Sequence, residues 1–239
     1  MWSFETGKRK AMNVRHHQTA GMKLQQIPLC LAAGLALLLC VADALGQGAF
    51  QNLNFESANV PVVPPQQFGS DVSVSNGVPG WTVYLGGSPQ SSMLHNNMSL
   101  GAARVAINGP QWFADQILEG SYSVSLQPST AGPPTTAAIG QTGRIPATAQ
   151  SFSFYTMGDF TITFGGQPIS LVVLGSTSSY NIYGGDISAF ANQMGELLFQ
   201  GGGLMDAIRF SNLPVPEPGV FGLSALGALV LGWRVLGRR

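Results

Sequence analysis

Short apolar segments alternate with clusters of glycine, proline, asparagine and serine through the middle of the chain, at the spacing expected of β-strands. Residues 121–127 show the clearest pattern: apolar side chains at even positions predict a buried face, and polar side chains at odd positions predict an exposed face. Gly165 and Gly166 predict a turn. The other predicted strands are residues 152–154, 162–164, 169–174 and 180–183. Only residues 186–198, and a shorter stretch at 111–118, have a helical pattern. The sequence therefore predicts an all-β domain, either a β-sandwich or a jelly roll.

The N-terminal segment has the pattern of a secretory signal peptide. Residues 27–41 form a nearly uninterrupted apolar run, basic residues precede it, and small residues follow at the spacing that signal peptidase accepts. Cleavage is expected after Ala44 or Gly46, and translation can begin at Met1, Met12 or Met22. The alternative is an uncleaved N-terminal anchor.

The C-terminal segment has three features in a fixed order: a Pro-Glu-Pro motif, an apolar stretch at residues 219–233, and three stop-transfer arginines (Arg234, Arg238 and Arg239). As a helix, the apolar stretch would be about 22 Å long, somewhat short of the roughly 30 Å hydrocarbon core. Arg234 can extend it by snorkelling. The basic end is expected to stay cytoplasmic, which places the β domain outside.

This ending resembles the PEP-CTERM sorting signal of Gram-negative bacteria. The resemblance implies that an exosortase-type membrane enzyme recognises Pro216, Glu217 and Pro218 as its processing site. It also implies an exported protein, first held in the inner membrane by a C-terminal transmembrane helix and then found at the cell surface or in the extracellular matrix. Arg234 is separated from the terminal pair, whereas the usual arginine cluster is tighter.

The chain thus divides into a signal peptide (residues 1–46), a β-sandwich domain (residues 47–213) and a sorting and anchoring tail (residues 214–239). Both cysteines lie in the predicted signal peptide, so the processed protein contains none. Cysteine-based redox chemistry and cysteine-based zinc sites are therefore excluded.

The charge of the predicted domain is negative although the whole chain is neutral. Residues 47–213 contain three arginines and no lysine against eight carboxylates, a net charge of −5. Nucleic acid is excluded as a partner, because phosphate binding requires clustered basic side chains.

Three short motifs mark the domain: Asn-Leu-Asn-Phe-Glu at residues 52–56, Gly-Trp at residues 80–81, and Asp-Ala-Ile-Arg-Phe at residues 206–210. Together they resemble the first strand, an early tryptophan and the last strand of galactose-binding-like jelly rolls, a fold used by many carbohydrate-binding modules. The resemblance implies a structural calcium ion bound by Glu56 and Asp206, since carboxylate oxygens suit that ion.

Aromatic side chains of the domain are candidates for stacking on sugar rings. The candidates are Trp81, Tyr84, Trp112 and Phe113. Packing in the sandwich core is the alternative for each of them.

The sequence carries no catalytic signature. It lacks the nucleophile-elbow, zinc-protease, phosphate-loop and dinucleotide-binding patterns. His95 is the only histidine beyond the N-terminal segment, and its polar surroundings predict a surface loop. The first interpretation is a non-enzymatic surface or exopolysaccharide-matrix protein that needs signal peptidase and an exosortase-type enzyme as partners. A surface carbohydrate-binding module is the second, and a secreted polysaccharide hydrolase is the third, because the spatial pairing of eight carboxylates is invisible in sequence.

Overall fold

The computed structural model describes residues 48–65, 67–112 and 114–215. The predicted signal peptide, the Pro-Glu-Pro motif, the apolar stretch and the stop-transfer arginines lie outside these ranges. In the described part of the chain, no helix has the length and apolar character needed to cross a membrane.

Twelve β-strands make up most of the described chain. In chain order they are β1 (Asp71–Ser73), β2 (Thr82–Leu85), β3 (Ser88–Gln90), β4 (Ser92–His95), β5 (Arg104–Asn108), β6 (Ser123–Gln127), β7 (Ala137–Arg144), β8 (Ser151–Phe164), β9 (Gln167–Ile169), β10 (Leu171–Ser176), β11 (Asn181–Asp186) and β12 (Met194–Ser211). Besides them, the described residues contain one helical turn, α1 (Val74–Gly77), and two 3-10 turns, Ala114–Gln116 and Ser188–Phe190. The prediction of an all-β domain is confirmed.

The strands form one hydrogen-bonded sheet that is organised around β12. The first half of β12 pairs with β7, and its second half pairs with β6. Along its other side, β12 pairs with β8 almost from end to end. The change of partner from β7 to β6 occurs at residues 201–203, where the sheet divides into two layers that share β8 and β12.

Glycines allow the two shared strands to bend where the partner changes. Gly158 of β8 and Gly203 of β12 have φ values of 141° and 133°, which other residues rarely adopt. A Cβ atom at Gly203 would also collide with the carbonyl oxygen of Met157 on the facing strand. The backbones therefore approach each other closely at this corner of the sheet.

Aromatic side chains from the two layers meet in the core. Phe199, from the first half of β12, has its ring centroid 5.4 Å from that of Phe154 and 6.4 Å from that of Phe152. Both of these residues lie in the first half of β8, which pairs with β11 and with the second half of β12. Trp81, which precedes β2, packs 6.1 Å from Phe199. Because these rings are buried between the layers, the arrangement is that of a β-sandwich.

The first motif of the jelly-roll resemblance is a turn and not a strand. Asn52 and Phe55 have left-handed φ values of 48° and 57°, far from the values of about −120° to −140° in regular strands, and the segment forms turns. Phe55 is fully buried, and its ring lies 5.6 Å from that of Trp81. The turn directs Phe55 into the core, and the predicted strand at residues 52–56 was wrong.

The two predicted helices were also wrong. Residues 186–198 contain only the 3-10 turn Ser188–Phe190 between the end of β11 and the start of β12. The Asp186 carboxylate accepts a hydrogen bond from the Ser188 N–H at 2.8 Å, which turns the chain. From Met194 onwards, pairing with β7 and then also with β8 makes the segment a strand. Among the described residues of the second segment, 111, 112 and 114–118, the only helical structure is the 3-10 turn Ala114–Gln116.

The strand predicted at residues 121–127 exists as β6, but its serine face is not exposed. Ser123 is completely buried, with its hydroxyl hydrogen-bonded to the Leu118 N–H and to Asp206, and Ser125 is 8% exposed. The predicted turn at Gly165 and Gly166 is confirmed: both have positive φ values, and they join β8 to β9.

Candidate binding site

Asp206 is a fully buried carboxylate in β12. One oxygen accepts hydrogen bonds from the Ser123 hydroxyl at 2.7 Å and from the Glu119 N–H at 3.1 Å. The other accepts from the Ala207 N–H at 2.6 Å, where the pairing with β8 is bulged. Burial raises the pKa of Asp206 to about 7, while these hydrogen bonds oppose the rise. Asp206 therefore ties β6 and the loop before it to the last strand.

Glu56 contacts the same loop from the other side. Its Oε1 atom accepts hydrogen bonds from the Ser121 N–H at 2.8 Å and from the Tyr122 N–H at 3.1 Å. Glu56 and Asp206 are thus connected through residues 119–123, although Glu56 lies in a turn.

The two carboxylates do not fit the calcium site that the resemblance implies. Both Asp206 oxygens and Oε1 of Glu56 accept hydrogen bonds from N–H and O–H donors, whereas a calcium ion requires a shell of oxygen ligands. Among residues 48–65, 67–112 and 114–215, no group of three or more histidine, cysteine, aspartate and glutamate side chains is placed to bind a metal ion. As they lie here, Glu56 and Asp206 hold the loop.

The two tryptophans proposed for sugar stacking are buried. Trp81 is 4% exposed, packs against Phe55 and Phe199, and donates its indole N–H to the Asn52 carbonyl at 3.0 Å. Trp112 is 7% exposed, and its ring lies 5.5 Å from that of Phe68. Burial favours the alternative of core packing for both, while Phe113 lies outside the described residues.

Tyr84 is half-buried on β2, so it is the most accessible of the described candidates. Its hydroxyl donates to Glu196 at 2.7 Å, and this hydrogen bond raises the pKa of Tyr84. The bond fixes the ring at the surface of the layer that contains β2, β7 and the first half of β12.

His95 is buried and does not lie in a surface loop. It ends β4, which pairs in parallel with β5, and it is 3% exposed. Burial lowers the pKa of His95, which keeps the imidazole neutral near pH 7. The surface-loop prediction was wrong because β4 lies between β1 and β5.

The structure shows a cleft that sequence reasoning did not find. It has a volume of about 410 Å³ and lies where β6, β12 and β8 meet at the bend; we call it the β6–β12 cleft. Ser125, Leu204 and Met157 form a cross-strand row within it, since Leu204 pairs with both of the others. These side chains lie outside the aromatic core cluster. Ser125 and Leu204 are nearly buried, so Met157, which is 40% exposed, gives the row most of its accessible surface.

Two loops form the rim of the β6–β12 cleft. The backbone of Ser99 donates to the Gln127 side-chain oxygen at 2.8 Å, and the Thr130 N–H donates to the Gly101 carbonyl at 2.9 Å. Gln116, from the 3-10 turn, adds a further amide. No charged side chain lines the cleft among the described residues. Uncharged donors and acceptors beside apolar surface can bind a neutral ligand that carries hydroxyl groups.

One sequence signal for the cleft was available. Residues 201–203 are three successive glycines inside β12, and glycine within a strand often marks a bend or the close approach of a ligand. A Cβ atom at Gly202 would lie 3.0 Å from the Cδ atom of Pro128, on the cleft wall. The absence of a side chain at Gly202 thus keeps the cleft open.

The sequence matches no protein-family model and no curated protein. An apo-form cyclase from Fischerella sp. is similar in structure, with 13% identity, a TM-score of 0.37, and 71% of this chain and 97% of that chain covered. The Stig cyclase Fisc from Fischerella sp. TAU, solved with (3Z)-3-(1-methyl-2-pyrrolidinylidene)-3H-indole, has 14% identity, a TM-score of 0.34, and 68% and 95% coverage. The family 11 carbohydrate-binding module from Clostridium thermocellum, solved with a beta-1,3-1,4-mixed-linked tetrasaccharide, has 12% identity, a TM-score of 0.31, and 64% and 99% coverage. The similar structures thus include a carbohydrate-binding module and two cyclases.

Proposed function

We propose that this chain is a non-enzymatic, exported surface or exopolysaccharide-matrix protein whose jelly-roll domain binds uncharged carbohydrate in the β6–β12 cleft. The observation that carries the binding proposal is the lining of the cleft, which combines hydroxyl and amide groups with apolar side chains and carries no charge.

The chemistry of the cleft matches a neutral sugar. A pyranose ring has apolar C–H faces and a rim of hydroxyl groups, so it needs both kinds of contact. Met157, which is 40% exposed, and Pro128 supply apolar surface, while Gln116 and Gln127 supply amides. The volume of about 410 Å³ falls in the range of small-ligand sites, roughly 300–1,000 Å³. The net negative charge of the domain opposes binding of uronic acids and phosphorylated glycans.

The export proposal is supported by the order of the C-terminal features in the sequence. The β domain ends close to the sorting motif: the Ser151 hydroxyl donates to the carbonyl oxygen of Leu213 at 2.6 Å, and the motif begins at Pro216. A processing enzyme at the membrane would therefore act close to the folded domain. Proline at Pro216 and Pro218 disfavours regular structure and would keep Glu217 extended and accessible.

A polysaccharide pull-down with the full chain tests the binding proposal. Gly202→Val would place two methyl groups against Pro128 and fill the cleft, so we expect at least a tenfold loss of affinity for neutral polysaccharide. Gly175→Val is the matched control, because a Cβ atom at Gly175 in β10 would make only an ordinary contact, 3.8 Å from the Cδ1 atom of Ile182. Gln116→Ala removes an amide from the cleft without crowding it, and should weaken binding with little effect on melting temperature.

If Gly202→Val and Gly175→Val are both folded and bind neutral polysaccharide equally well, the β6–β12 cleft is not the binding site. A preference for anionic over neutral polysaccharide would contradict the proposed ligand class. Release of reducing ends by the pure protein would contradict the non-enzymatic assignment.

Membrane fractionation in a host with an exosortase tests the export proposal. Replacing Leu229 and Leu231 by aspartate should release the protein from membranes, since a charged residue at the centre of a spanning helix costs about 2.5–3.5 kcal/mol. Pro216→Ala with Pro218→Ala should keep membrane attachment and abolish trimming. Unchanged fractionation and processing after deletion of residues 216–239 would show that the tail is not a sorting signal.

A further inference from the structure

The described sheet ends in four edge strands, and three of them are guarded against pairing with another chain. β1, β3 and β9 have only three residues each. Pro89 lies at the centre of β3 and Pro168 at the centre of β9, while β1 begins with the charged Asp71. Short length, proline and charge are the usual protections of a sheet edge.

The fourth edge, β10, has neither proline nor charge and is six residues long. Val173 is 59% exposed and Leu174 is 40% exposed, although both are apolar and lie in a strand. The register with β11 shifts between Val173 and Gly175, so a bulge at Leu174 interrupts the ladder. The bulge limits the edge to short stretches of pairing on either side.

The sequence segment that contains β10 carries no charge. Residues 160–185 contain no acidic or basic side chain, whereas residues 47–213 as a whole carry a net charge of −5. The next charge is that of Asp186, the exposed last residue of β11, beside the start of β10. Two copies of the domain therefore meet less repulsion between like charges at β10 than over the acidic remainder of their surfaces. A basic partner would instead be drawn to the acidic remainder of the domain.

We propose that β10 pairs antiparallel with β10 of a second copy of this chain, so that a two-fold axis joins the two sheets edge to edge. An antiparallel pair of identical strands is self-complementary, which is what a two-fold contact requires. Six residues a side is far fewer than the roughly 20–30 residues a side of a standard interface. The association is therefore weak and depends on crowding, as on a surface where many copies lie side by side.

Photo-crosslinking of the full chain in cells tests the pairing. Two copies with different affinity tags are produced together, and a benzophenone amino acid replaces Leu174 in one of them. We expect a covalent adduct between the two tagged chains, with mass spectrometry locating the crosslink in residues 171–176 of the partner copy. The same probe at Val62, which is 83% exposed but lies outside the sheet, is the control and should give no such adduct.

A second substitution separates specific pairing from chance contact. Val173→Lys puts a charge on the edge and should reduce the adduct at least tenfold, whereas Val62→Lys should leave it unchanged. Val173 is exposed, so the folded state tolerates the lysine, and an unchanged melting temperature checks this. An adduct with a different protein, an equal adduct from Val62, or an adduct insensitive to Val173→Lys would each overturn the proposal.

Discussion

The buried carboxyl of Asp206 predicts an unusual dependence of stability on pH. Its pKa is raised from the ordinary value of 3.8 to about 7. A carboxyl with a raised pKa in the native state is protonated in both states below about pH 4, but the unfolded chain loses its proton first as the pH rises. The free energy of unfolding should therefore fall between pH 4 and pH 7 and then level off.

The size of the effect follows from the shift. At about 1.4 kcal/mol for each pKa unit, the full shift corresponds to about 4 kcal/mol, a net value in which the hydrogen bonds to the carboxylate already offset part of the effect of burial. His95 contributes with the opposite sign: its lowered pKa makes stability rise with pH up to about 6.5, where the unfolded imidazole becomes neutral. The contribution of Asp206 must therefore be measured as a difference between variants.

Urea unfolding of the wild type and of Asp206→Asn at closely spaced pH values isolates the carboxyl, with tryptophan fluorescence as the signal. The asparagine cannot titrate, so the fall in stability between pH 4 and pH 7 should disappear in the variant. The free energy of unfolding of the variant should also be about 1–3 kcal/mol lower at low pH, since its amide NH₂ would face the Glu119 N–H and two donors cannot form a hydrogen bond. If the two proteins have the same pH profile, the pKa of Asp206 is the same in the native and unfolded states, and its hydrogen bonds fully offset its burial.

Three further outcomes can be measured by unfolding. Phe199→Ala should lower the free energy of unfolding by about 3–5 kcal/mol, because the ring is fully buried between the two layers. A loss below ~1 kcal/mol in denaturant unfolding would mean that the layers do not meet at Phe199. Glu119→Gln should lower the free energy of unfolding by less than about 1 kcal/mol, since the ion pair with Arg209 is exposed. A larger loss would mean that the pair stabilises the fold more than a surface ion pair does. The melting temperature should be the same in calcium and in chelator, because Glu56 and Asp206 already accept hydrogen bonds. A higher melting temperature in calcium would show that these residues do bind the ion.

The fold class could be predicted because it depends on local signals. Alternation at residues 121–127 and the glycine turn at residues 165–166 both place strands and turns without any long-range information. The helical pattern at residues 186–198 failed because the segment pairs with β7 and then also with β8, and pairing with distant strands overrides local preference.

The candidate site could not be predicted because it depends on pairing between distant strands. Ser125, Leu204 and Met157 are separated by dozens of residues and become neighbours only through β6, β12 and β8. The resemblance to jelly rolls identified Glu56 and Asp206, which do contact one loop. It could not show that N–H and O–H groups already donate to both Asp206 oxygens and to Oε1 of Glu56.

The position of β12 determines when the domain can fold. Its 18 residues are the last strand of the described chain, and both layers need them, since β6, β7 and β8 all pair with β12. Neither layer can complete its pairing until β12 has been synthesised, so the sheet cannot close while only the strands before it are available. One strand then completes the pairing of both layers.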